Sequence, residues 1–547
     1  MTSAWVAAKG VFRRLDEGLS RSWIRPGEAL WPRWIWLRAL GLIFLSAFYS
    51  LAFQITGLIG PRGILPAGEY LAAVRQAFCM PKALWFAPTL FWLSSADGAL
   101  LTVTFLGAAA SVLLVLNLVP RLATAVAAVC FLSFIGAAQD FASYQSDGML
   151  LEAAFISLFL APRGLRPRLG AAAPSSRLAV FLLVWEWFRI YFESGVVKLL
   201  SGDAQWKSFT AMDHYYENGP LPTWIGWHVQ QNLSHGFHAF TVGLIFLFEL
   251  GIVWFAFLPR RFRLIAFCLA TSFQAAIILT ANYAFLNYIV LSLGVLLVDD
   301  RFVRLKVPPA EPARTSWPER IALGWILYAT LVLVPGVSSL VPRPLLWPAR
   351  ALEPFRIANR YGLFAVMTSE RYEIEFQGSR DGVTWTPYPF RYKPQDPMKA
   401  PGIYAPYQPR FEWNLWFASL GEWRGYAGSW TRSCACSKHP RRCSSYSPLT
   451  RSPTVRRPGS ERSGGSTGSP RRRSSAPPAP TGGVKISAST PRSCTRKVGE
   501  SRRSGRCHDS RRSGAGRRDR RKHTPRRWGA VSPTPHGRSE RPGTRRG

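Results

Sequence analysis

The sequence predicts an all-α polytopic membrane bundle of about nine spans, followed by a small β-rich module on the outer or lumenal side. Apolar segments long enough to cross a bilayer recur through the first 342 residues. Basic residues concentrate in alternate connections between these segments. After Pro342 the pattern changes to short alternating runs and turns. These observations divide the chain into a cytoplasmic segment, a transmembrane domain, an outer module and a basic low-complexity tail, at 1–33, 34–342, 343–430 and 431–547.

The transmembrane domain is predicted from hydropathy and length, because a helix needs about 20 apolar residues to span the hydrocarbon core. Two segments, 148–161 and 283–298, are short, which is typical of tilted or re-entrant neighbours. The first segment is too long for a signal peptide and lacks a small-residue cleavage site. The predicted spans are 34–56, 100–118, 121–138, 148–161, 178–200, 238–258, 263–281, 283–298 and 320–342.

The distribution of Lys and Arg predicts the orientation. With the N-terminus inside, the connection at 162–177 carries four arginines, and the one at 299–319 carries three arginines and a lysine. The short opposite loop at 139–147 carries no basic residue, and the long opposite connections at 57–99 and 201–237 carry three and one. Basic residues therefore alternate as the positive-inside rule requires for nine spans, and the segment after Pro342 is expected on the outer or lumenal side.

The outer module is predicted from an alternating stretch and a turn. Tyr372, Ile374 and Phe376 alternate with polar residues, and Asp381-Gly382 then provides a hairpin turn, since glycine adopts positive φ at little cost. A dense aromatic stretch follows at 407–423. One interpretation is a small β-rich domain with an aromatic core. The other is that exposed tryptophans face the membrane interface or a client protein, with Trp385, Trp413 and Trp416 as candidates.

The tail has an unusual composition. From 431 to the end there are 31 basic and 5 acidic residues, a net charge of +26 within the +37 of the whole chain. Its Arg, Ser, Pro and Gly content is typical of a disordered segment that binds anionic lipid or nucleic acid. The same composition arises when GC-rich DNA is read out of frame, and recoding 430–453 in the neighbouring frame gives an amphipathic helix followed by an Asn-Pro-Phe turn. We therefore interpret 431–547 as frameshifted or disordered and assign no function to it, and we expect no nucleic-acid partner.

One predicted span carries charges that are costly at membrane depth. Glu186, Arg189 and Glu193 are spaced i, i+3, i+7 and share one helical face. A lone charge in lipid costs about 2.5–3.5 kcal/mol even on insertion scales, so we expect these three to form a buried ion cluster. Lys198 and Asp203 are expected at the outer mouth, together with Trp206, Asp147 and His214. The outer end of a neighbouring span carries three acidic residues that are candidates to face the cluster across the bundle: Asp140, Asp147 and Glu152.

Lys198 has two interpretations. It can snorkel to the headgroups, or it can line a polar cavity where a lowered pKa would make it a base. A lysine at the mouth would lose only solvated contacts, so Lys198→Met is expected to leave folding nearly normal. Arg189→Leu, in contrast, is expected to reduce the amount of folded protein, because it leaves an uncompensated buried charge.

Histidine and cysteine usage disfavours two classes of site. His214, His228, His235 and His238 all fall in one outer segment, but their spacing is too loose to favour a metal site over ordinary hydrogen bonds. No metal and no cofactor are predicted. Before the tail, the only outward cysteine is Cys79, so an enzyme that exchanges thiols through its own CxxC motif is disfavoured.

Several long blocks resemble the lipase maturation factor family. They are "LIGPRGILPAGEYL" at 58–71, "PTLFWLSSADGAL" at 88–100, "YQSDGMLLEAAFISLFLAP" at 144–162, "FRIYFESGVVKLLSGDAQWKSFTAMDHYYENGPLPTW" at 188–224, "FRIANRYGLFAVMTSERYEIEFQGSRDGVTW" at 355–385 and "PRFEWNLWFASLGEW" at 409–423. The resemblance covers about 30–430. It implies an endoplasmic reticulum membrane protein that helps secreted dimeric lipases reach their active fold, or an inner-membrane protein if the source is prokaryotic.

The resemblance implies a non-enzymatic maturation factor, with membrane lipids and secreted client proteins such as lipases as its partners. The segment 191–206 also resembles, distantly, the membrane core of vitamin K-dependent gamma-carboxylases, in which a lysine before an Asp-Trp pair is a catalytic base. Only Lys198 and Trp206 carry this second resemblance. The alternative function is therefore a membrane enzyme that uses Lys198 as base with a lipid-soluble cofactor.

Overall fold

Within the residues that the structure describes, a long helix occupies each of the nine segments predicted as spans. The structure is a computed structural model, and it describes residues 29–142, 144–173, 176–303, 316–378, 384–396, 398–420, 454–455 and 482–487. We label the long helices α1 to α9: Leu30–Ala52, Asp97–Val115, Pro120–Ala137, Gln145–Leu160, Arg177–Leu200, His235–Phe257, Arg260–Thr280, Leu286–Leu297 and Trp317–Val332. Helix α6 contains a π-helical turn at Leu247–Gly251 and ends in a 3-10 segment at Ile252–Phe257.

Short helices lie in the connections. They are Ile55–Ile59, Ala67–Ala77, Met80–Phe86, Ala204–Lys207, Tyr215–Asn218, Trp224–Asn232, Asp300–Val303 and Val337–Leu340, with 3-10 turns at Leu90–Trp92, Gln139–Ala142 and Glu353–Phe355. Most of them belong to the two long connections that the sequence predicts on the outer side, 57–99 and 201–237. These connections are therefore folded segments that cover one end of the bundle.

Five of the described helices are long and apolar enough to cross a membrane: α1, α2, α3, α6 and α7. Helices α4 and α9 have 16 residues each, and α8 is shorter still. Helix α5 has 24 residues but carries the charged side chains described below. The prediction of a helical membrane bundle is confirmed, and the number of nine spans stays a prediction.

Aromatic contacts between α1 and α3 form part of the core of the bundle. The ring of Phe131 meets those of Phe44 and Phe48 edge to face, with centroids 5.9 and 6.0 Å apart. Helix α2 packs against the same side of α1 through Gly107, where a Cβ atom would lie 2.2 Å from the Phe48 ring. The absence of a side chain at Gly107 lets the two helices approach closely, as small residues do between membrane helices.

At one end of the bundle the connections contact each other. The Asp300 carboxylate accepts hydrogen bonds from the first two amides of α1, at 3.0 and 2.7 Å, and so caps that helix. The guanidinium of Arg33 donates to three carbonyls of the 162–177 connection: Leu169, Gly170 and Ala173. Three segments that the sequence predicts on the inside therefore lie together.

After α9, the chain forms a mixed module rather than the β-rich one predicted. Helix α10, Arg343–Arg350, is followed by β1, Tyr372–Gly378, β2, Thr386–Tyr388, and helix α11, Arg410–Ser419. The strands pair antiparallel with Phe376 opposite Tyr388, as a hairpin requires. The predicted turn at Asp381-Gly382 lies outside the described residues. The aromatic stretch at 407–423 is mostly helical, because its apolar side chains pack at helical spacing on β1 and on the bundle.

The alternation predicted for β1 is present, but both of its faces are covered. Ile374 packs with Leu415 and Ala418 of α11. On the other face Glu373 is buried and forms ion pairs with Arg371 and with Lys393, whose Nζ lies 2.6 Å from its carboxylate. Burial lowers the pKa of Lys393, and the Glu373 carboxylate opposes that shift. The polar face is therefore an internal ion network and not a solvated surface.

Two strands from the tail, Thr454–Val455 and Gly482–Ser487, pair with β1 and complete a four-stranded sheet. The remainder of 431–547 lies outside the described residues, and so does the prediction that this segment is frameshifted or disordered. By its contacts the chain divides into two units, 1–488 and 489–547. Every described residue belongs to the first.

Candidate functional site

The three charged residues predicted to share a face of α5 lie together in the bundle, and each is fully buried. The Arg189 guanidinium pairs with Glu152 of α4, donates to the Asn359 carbonyl at 2.8 Å, and lies 3.8 Å from the Glu193 carboxylate. All four of these charged and polar groups come from only three segments of the chain. The ion cluster joins two helices of the bundle to the segment that leads from α10 to β1.

That segment, 356–364, enters the bundle from the side of the module, and we call it the strap. Glu152 accepts hydrogen bonds from the Asn359 amide at 2.9 Å and from its side chain at 3.0 Å. Glu193 accepts from the Tyr361 amide at 2.7 Å. Backbone amides of an extended strap have no partners of their own, so the buried carboxylates satisfy them.

Tyr361 is the centre of the strap. Its hydroxyl lies 2.9 Å from Glu152 and 3.3 Å from Glu186, and its ring lies under the Arg189 guanidinium with 5.0 Å between the centres. Burial raises the pKa of Tyr361 well above its ordinary value, and the neighbouring Glu152 raises it further. The hydroxyl therefore keeps its proton, which it can donate to either of the two neighbouring carboxyl groups.

Lys198 does not occupy the solvated mouth that the sequence predicts. Its side chain is 2% exposed, and its Nζ lies 2.9 and 2.8 Å from the two carboxylate oxygens of Glu249, in the π-helical turn of α6. The Trp206 ring lies 5.2 Å from the same Nζ. An ammonium held in this way is a counter-ion. Its geometry gives no support to the role of a base, which needs a free lone pair directed at a substrate.

Asp147, also expected at the mouth, is buried. Both of its carboxylate oxygens accept from Arg410 of α11, at 2.8 and 2.9 Å, in a bidentate pair that is 1% or less exposed on either side. The Arg410 guanidinium also donates to the Phe141 carbonyl, at 2.8 Å. This pair joins α11 to α4, because a planar guanidinium matches a carboxylate in geometry as well as in charge.

Asp203 and Trp206 keep a place at the end of α5, but they bind the module and not solvent. The Asp203 carboxylate accepts from the Met367 amide at 2.7 Å, and it also caps the short helix that begins at Ala204. The Trp206 indole donates to the Phe364 carbonyl at 3.1 Å. The 201–237 connection is therefore part of the surface on which the strap lies.

The histidines of the 201–237 connection and the start of α6 form separate local pairs. His235 lies 3.0 Å from Asp213, and His214 lies 3.4 Å from Glu217, both with exposed imidazoles. His238 is buried against aromatic rings, and His228 contacts Asn232. Among the described residues, no group of three or more His, Cys, Asp or Glu side chains has the geometry of a metal site.

The three tryptophans predicted to face a client differ in exposure. Trp413 is buried between Tyr144 and Tyr283, so it belongs to the core of the module and cannot contact a client. Trp416 is half-buried and donates to the Asn218 carbonyl at 2.9 Å. Trp385 is half-buried beside β2. The prediction that Trp413 faces a client was wrong. An aromatic run does not indicate which of its side chains will face the core when the run forms a helix.

Three partners in this site were missed by the sequence analysis: Glu249, Arg410 and Tyr361. Glu249 is the one acidic residue in the predicted span 238–258, and an isolated ionisable residue at membrane depth is itself a signal of an unseen partner. Arg410 and Tyr361 carry no such signal, because they lie in a polar, aromatic segment of ordinary composition.

Two family models match the regions of the chain that contain the long blocks resembling the lipase maturation factor family. Residues 31–305 match the family model of the lipase maturation factor transmembrane domain, and residues 357–435 match that of the lipase maturation factor C-terminal domain. The first matched region contains almost all of α1 and the whole of α2 to α8, and the second contains nearly all of the strap, β1, β2 and α11. No solved structure matches the chain.

Curated proteins match over most of their length. Lipase maturation factor 1 of Bos taurus is 30% identical over 431 residues, covering 73% of this chain and 76% of that protein. Lipase maturation factor 2 of Mus musculus is 30% identical over 515 residues, covering 71% and 72%, and that of Homo sapiens is 30% identical with the same shares. The chain belongs to the lipase maturation factor family.

Proposed function

We propose that this protein is a membrane-embedded factor that assists the folding and maturation of secreted proteins such as lipases, and that it does so without catalysing a reaction. The names of its relatives support a role in lipase maturation. The apolar helices support a membrane location, with the endoplasmic reticulum as the expected compartment. The module at 343–420 is proposed to lie on the lumenal side, where it can meet a client.

The observation that carries this proposal is the buried seam between the module and the bundle. Arg189, Glu152 and Glu193 hold the strap, and Arg410 holds α11 through Asp147. Asn282, between α7 and α8, adds a third attachment, since its side chain bonds Gly402, Tyr404 and Ala405. Attachments this numerous and this buried make the module a rigid extension of the bundle, as a platform for client proteins requires.

The client is proposed to contact the outer side of the module, where apolar side chains remain exposed. Met398 and Ile403 are 80% and 47% exposed, and Phe417 and Leu420 at the end of α11 are 39% and 46% exposed. Trp385 and Trp416 stay candidates at the border of this surface. Partly unfolded secretory proteins expose apolar segments, so a surface with scattered apolar side chains is suited to a transient contact.

A complementation experiment tests the proposal. In cells that lack their own lipase maturation factor, the full chain should restore the activity of a secreted lipase without changing the amount of lipase synthesised. Met398→Asp combined with Phe417→Asp should reduce this rescue while the protein remains folded and in the membrane. The matched control is Arg163→Asp, at an exposed position of the 162–177 connection, which should rescue fully. Equal rescue by both variants would contradict the proposed client surface. Absence of rescue by the parent chain would contradict the proposed function.

The orientation is tested separately. A glycosylation site or compartment reporter placed after Trp385 should read lumenal, and one placed after Arg177 should read cytoplasmic. A cytoplasmic readout after Trp385 contradicts the proposal, because the module could not then meet a secreted client.

A further inference from the structure

Helix α10 does not continue the course of α9 but turns back along it. The Tyr328 hydroxyl donates to the Leu345 carbonyl at 2.6 Å, and the Trp325 indole donates to the Pro348 carbonyl at 3.0 Å. Because the α10 residue number rises while the α9 number falls, the two helices run antiparallel. Trp325 lies seven residues before the end of α9, so α10 returns about 10 Å along that helix.

One side of α10 is packed and the other is exposed and apolar. Leu346 and Ala349 are buried against the bundle, at 8% and 1% exposure. Leu345 and Trp347 are 53% and 73% exposed, and Leu340 in the preceding turn is 83% exposed. A tryptophan and a leucine in this state are unusual on a water-facing helix of only eight residues, and Leu340 extends their apolar surface.

The charges of α10 lie only at its two ends. Arg343 and Arg350 are both exposed, and the helix has no acidic residue. The adjacent apolar surface belongs to α9, where Ile321, Trp325 and Leu331 are 64%, 42% and 44% exposed. The exposed side of α10 is therefore continuous with the side that a membrane helix turns to lipid.

A second short helix beside α10 has the same character. The Trp85 indole of Met80–Phe86 donates to the Ala351 carbonyl at 3.1 Å, which brings this helix against the end of α10. Met80 and Leu84 are 40% and 46% exposed, and Lys82 lies over the Phe78 ring. This element, distant in sequence, also exposes apolar side chains next to a basic residue, although its lysine lies between them and not at the helix ends.

We infer that α10, together with Met80–Phe86, lies in the membrane–water interface on the module's side of the bundle, with Leu345 and Trp347 among the acyl chains. Arg343 and Arg350 contact lipid phosphates, since basic residues that flank an apolar helix face favour an anionic surface. Tryptophan at such a position is typical of interfacial anchoring. The occupant of this surface is thus lipid, and not a client protein or a second copy of the chain. The inference does not depend on the proposed function.

Site-specific photo-crosslinking tests the inference in the full chain in phospholipid vesicles. A benzophenone amino acid is placed at Trp347, and the matched control carries it at Met398, which is exposed to a similar degree on the module. With radiolabelled phosphatidylcholine in the vesicle, the yield of lipid adduct at 347 should exceed that at 398 about tenfold, because only the former is among acyl chains. Equal yields, or adducts at 347 with another protein or a second copy of this chain, would overturn the inference.

A charge variant gives a second readout. Arg343→Gln combined with Arg350→Gln keeps the apolar face and removes the phosphate contacts. With the parent arginines, the yield of lipid adduct at position 347 should be higher in vesicles that contain anionic phosphatidylglycerol than in vesicles without it. In the double variant the two yields should be equal. A preference that is unchanged in this variant would contradict the assignment of the arginines to headgroups.

Discussion

The ion pairs of the bundle and the histidine pairs of the 201–237 connection place oppositely charged groups at similar distances, but their surroundings differ. Lys198 and Glu249 lie 2.8 Å apart with side chains 2% and 8% exposed, whereas His235 and Asp213 lie 3.0 Å apart at 62% and 23%. Water replaces a lost partner at the surface, but it cannot do so inside the bundle. The contribution of an ion pair to stability therefore depends on whether water can reach the charge that remains when its partner is removed.

The largest effect is expected for Arg189→Leu. The substitution leaves the carboxyl groups of Glu152 and Glu193 without their cation, and loss of one partner of a buried pair typically costs about 3–5 kcal/mol. The yield of folded protein in mild detergent and its resistance to heat should both fall sharply. Arg163→Leu, at an exposed position, is the control and should behave like the parent. A variant that unfolds within about 1 kcal/mol of the parent would show that the cluster is solvated.

Lys198→Met distinguishes the buried position from the solvated mouth that the sequence predicts. Because Glu249 would be left buried without its cation, we expect a loss of about 3 kcal/mol in the free energy of unfolding. Replacing both partners, in Lys198→Met with Glu249→Leu, should recover most of the loss, since apolar side chains of similar volume need no counter-ion. Normal folding of the single variant would support the solvated position of Lys198 at the mouth. If the double variant does not regain stability, the loss comes from disrupted packing and not from the unpaired charge.

Tyr361→Phe sharpens the comparison within the buried cluster, because it removes a hydrogen-bond donor and leaves every charge in place. Hydrogen bonds to charged groups contribute about 1.5–3 kcal/mol, so the expected loss of stability is about 2 kcal/mol. Heat resistance in detergent measures it, and Tyr49→Phe at an exposed position of α1 is the control. No measurable loss would indicate that the ring, which phenylalanine keeps, and not the hydroxyl holds the strap.

The smallest effect is expected at the surface. Asp213→Asn removes the charge that faces His235, and an exposed pair contributes about 0–1 kcal/mol. The melting temperature should hardly change, and any change should diminish as salt is added. A loss above about 2 kcal/mol in the free energy of unfolding would show that this pair contributes as a buried ion pair does.

Much of the fold follows from local properties of the sequence. Long apolar runs identified the helices, because a helix at membrane depth must be apolar over its length. Residue spacing identified the shared face of Glu186, Arg189 and Glu193, since side chains three and four apart are neighbours on any helix. The resemblance of long blocks identified the family. In each case the information lies within a few consecutive turns of chain.

Only the tertiary structure decided which groups neutralise those charges. Glu152, Glu249 and Arg410 lie 37, 51 and 263 residues from Arg189, Lys198 and Asp147, and no local pattern connects them. The same holds for Trp413, which α11 turns inward against Tyr144 and Tyr283. Periodicity states which residues share a face, but what that face meets depends on the packing of distant segments. A buried charge is stable only where that packing brings its partner, and this is why Lys198 is a counter-ion inside the bundle and not a lysine at its mouth.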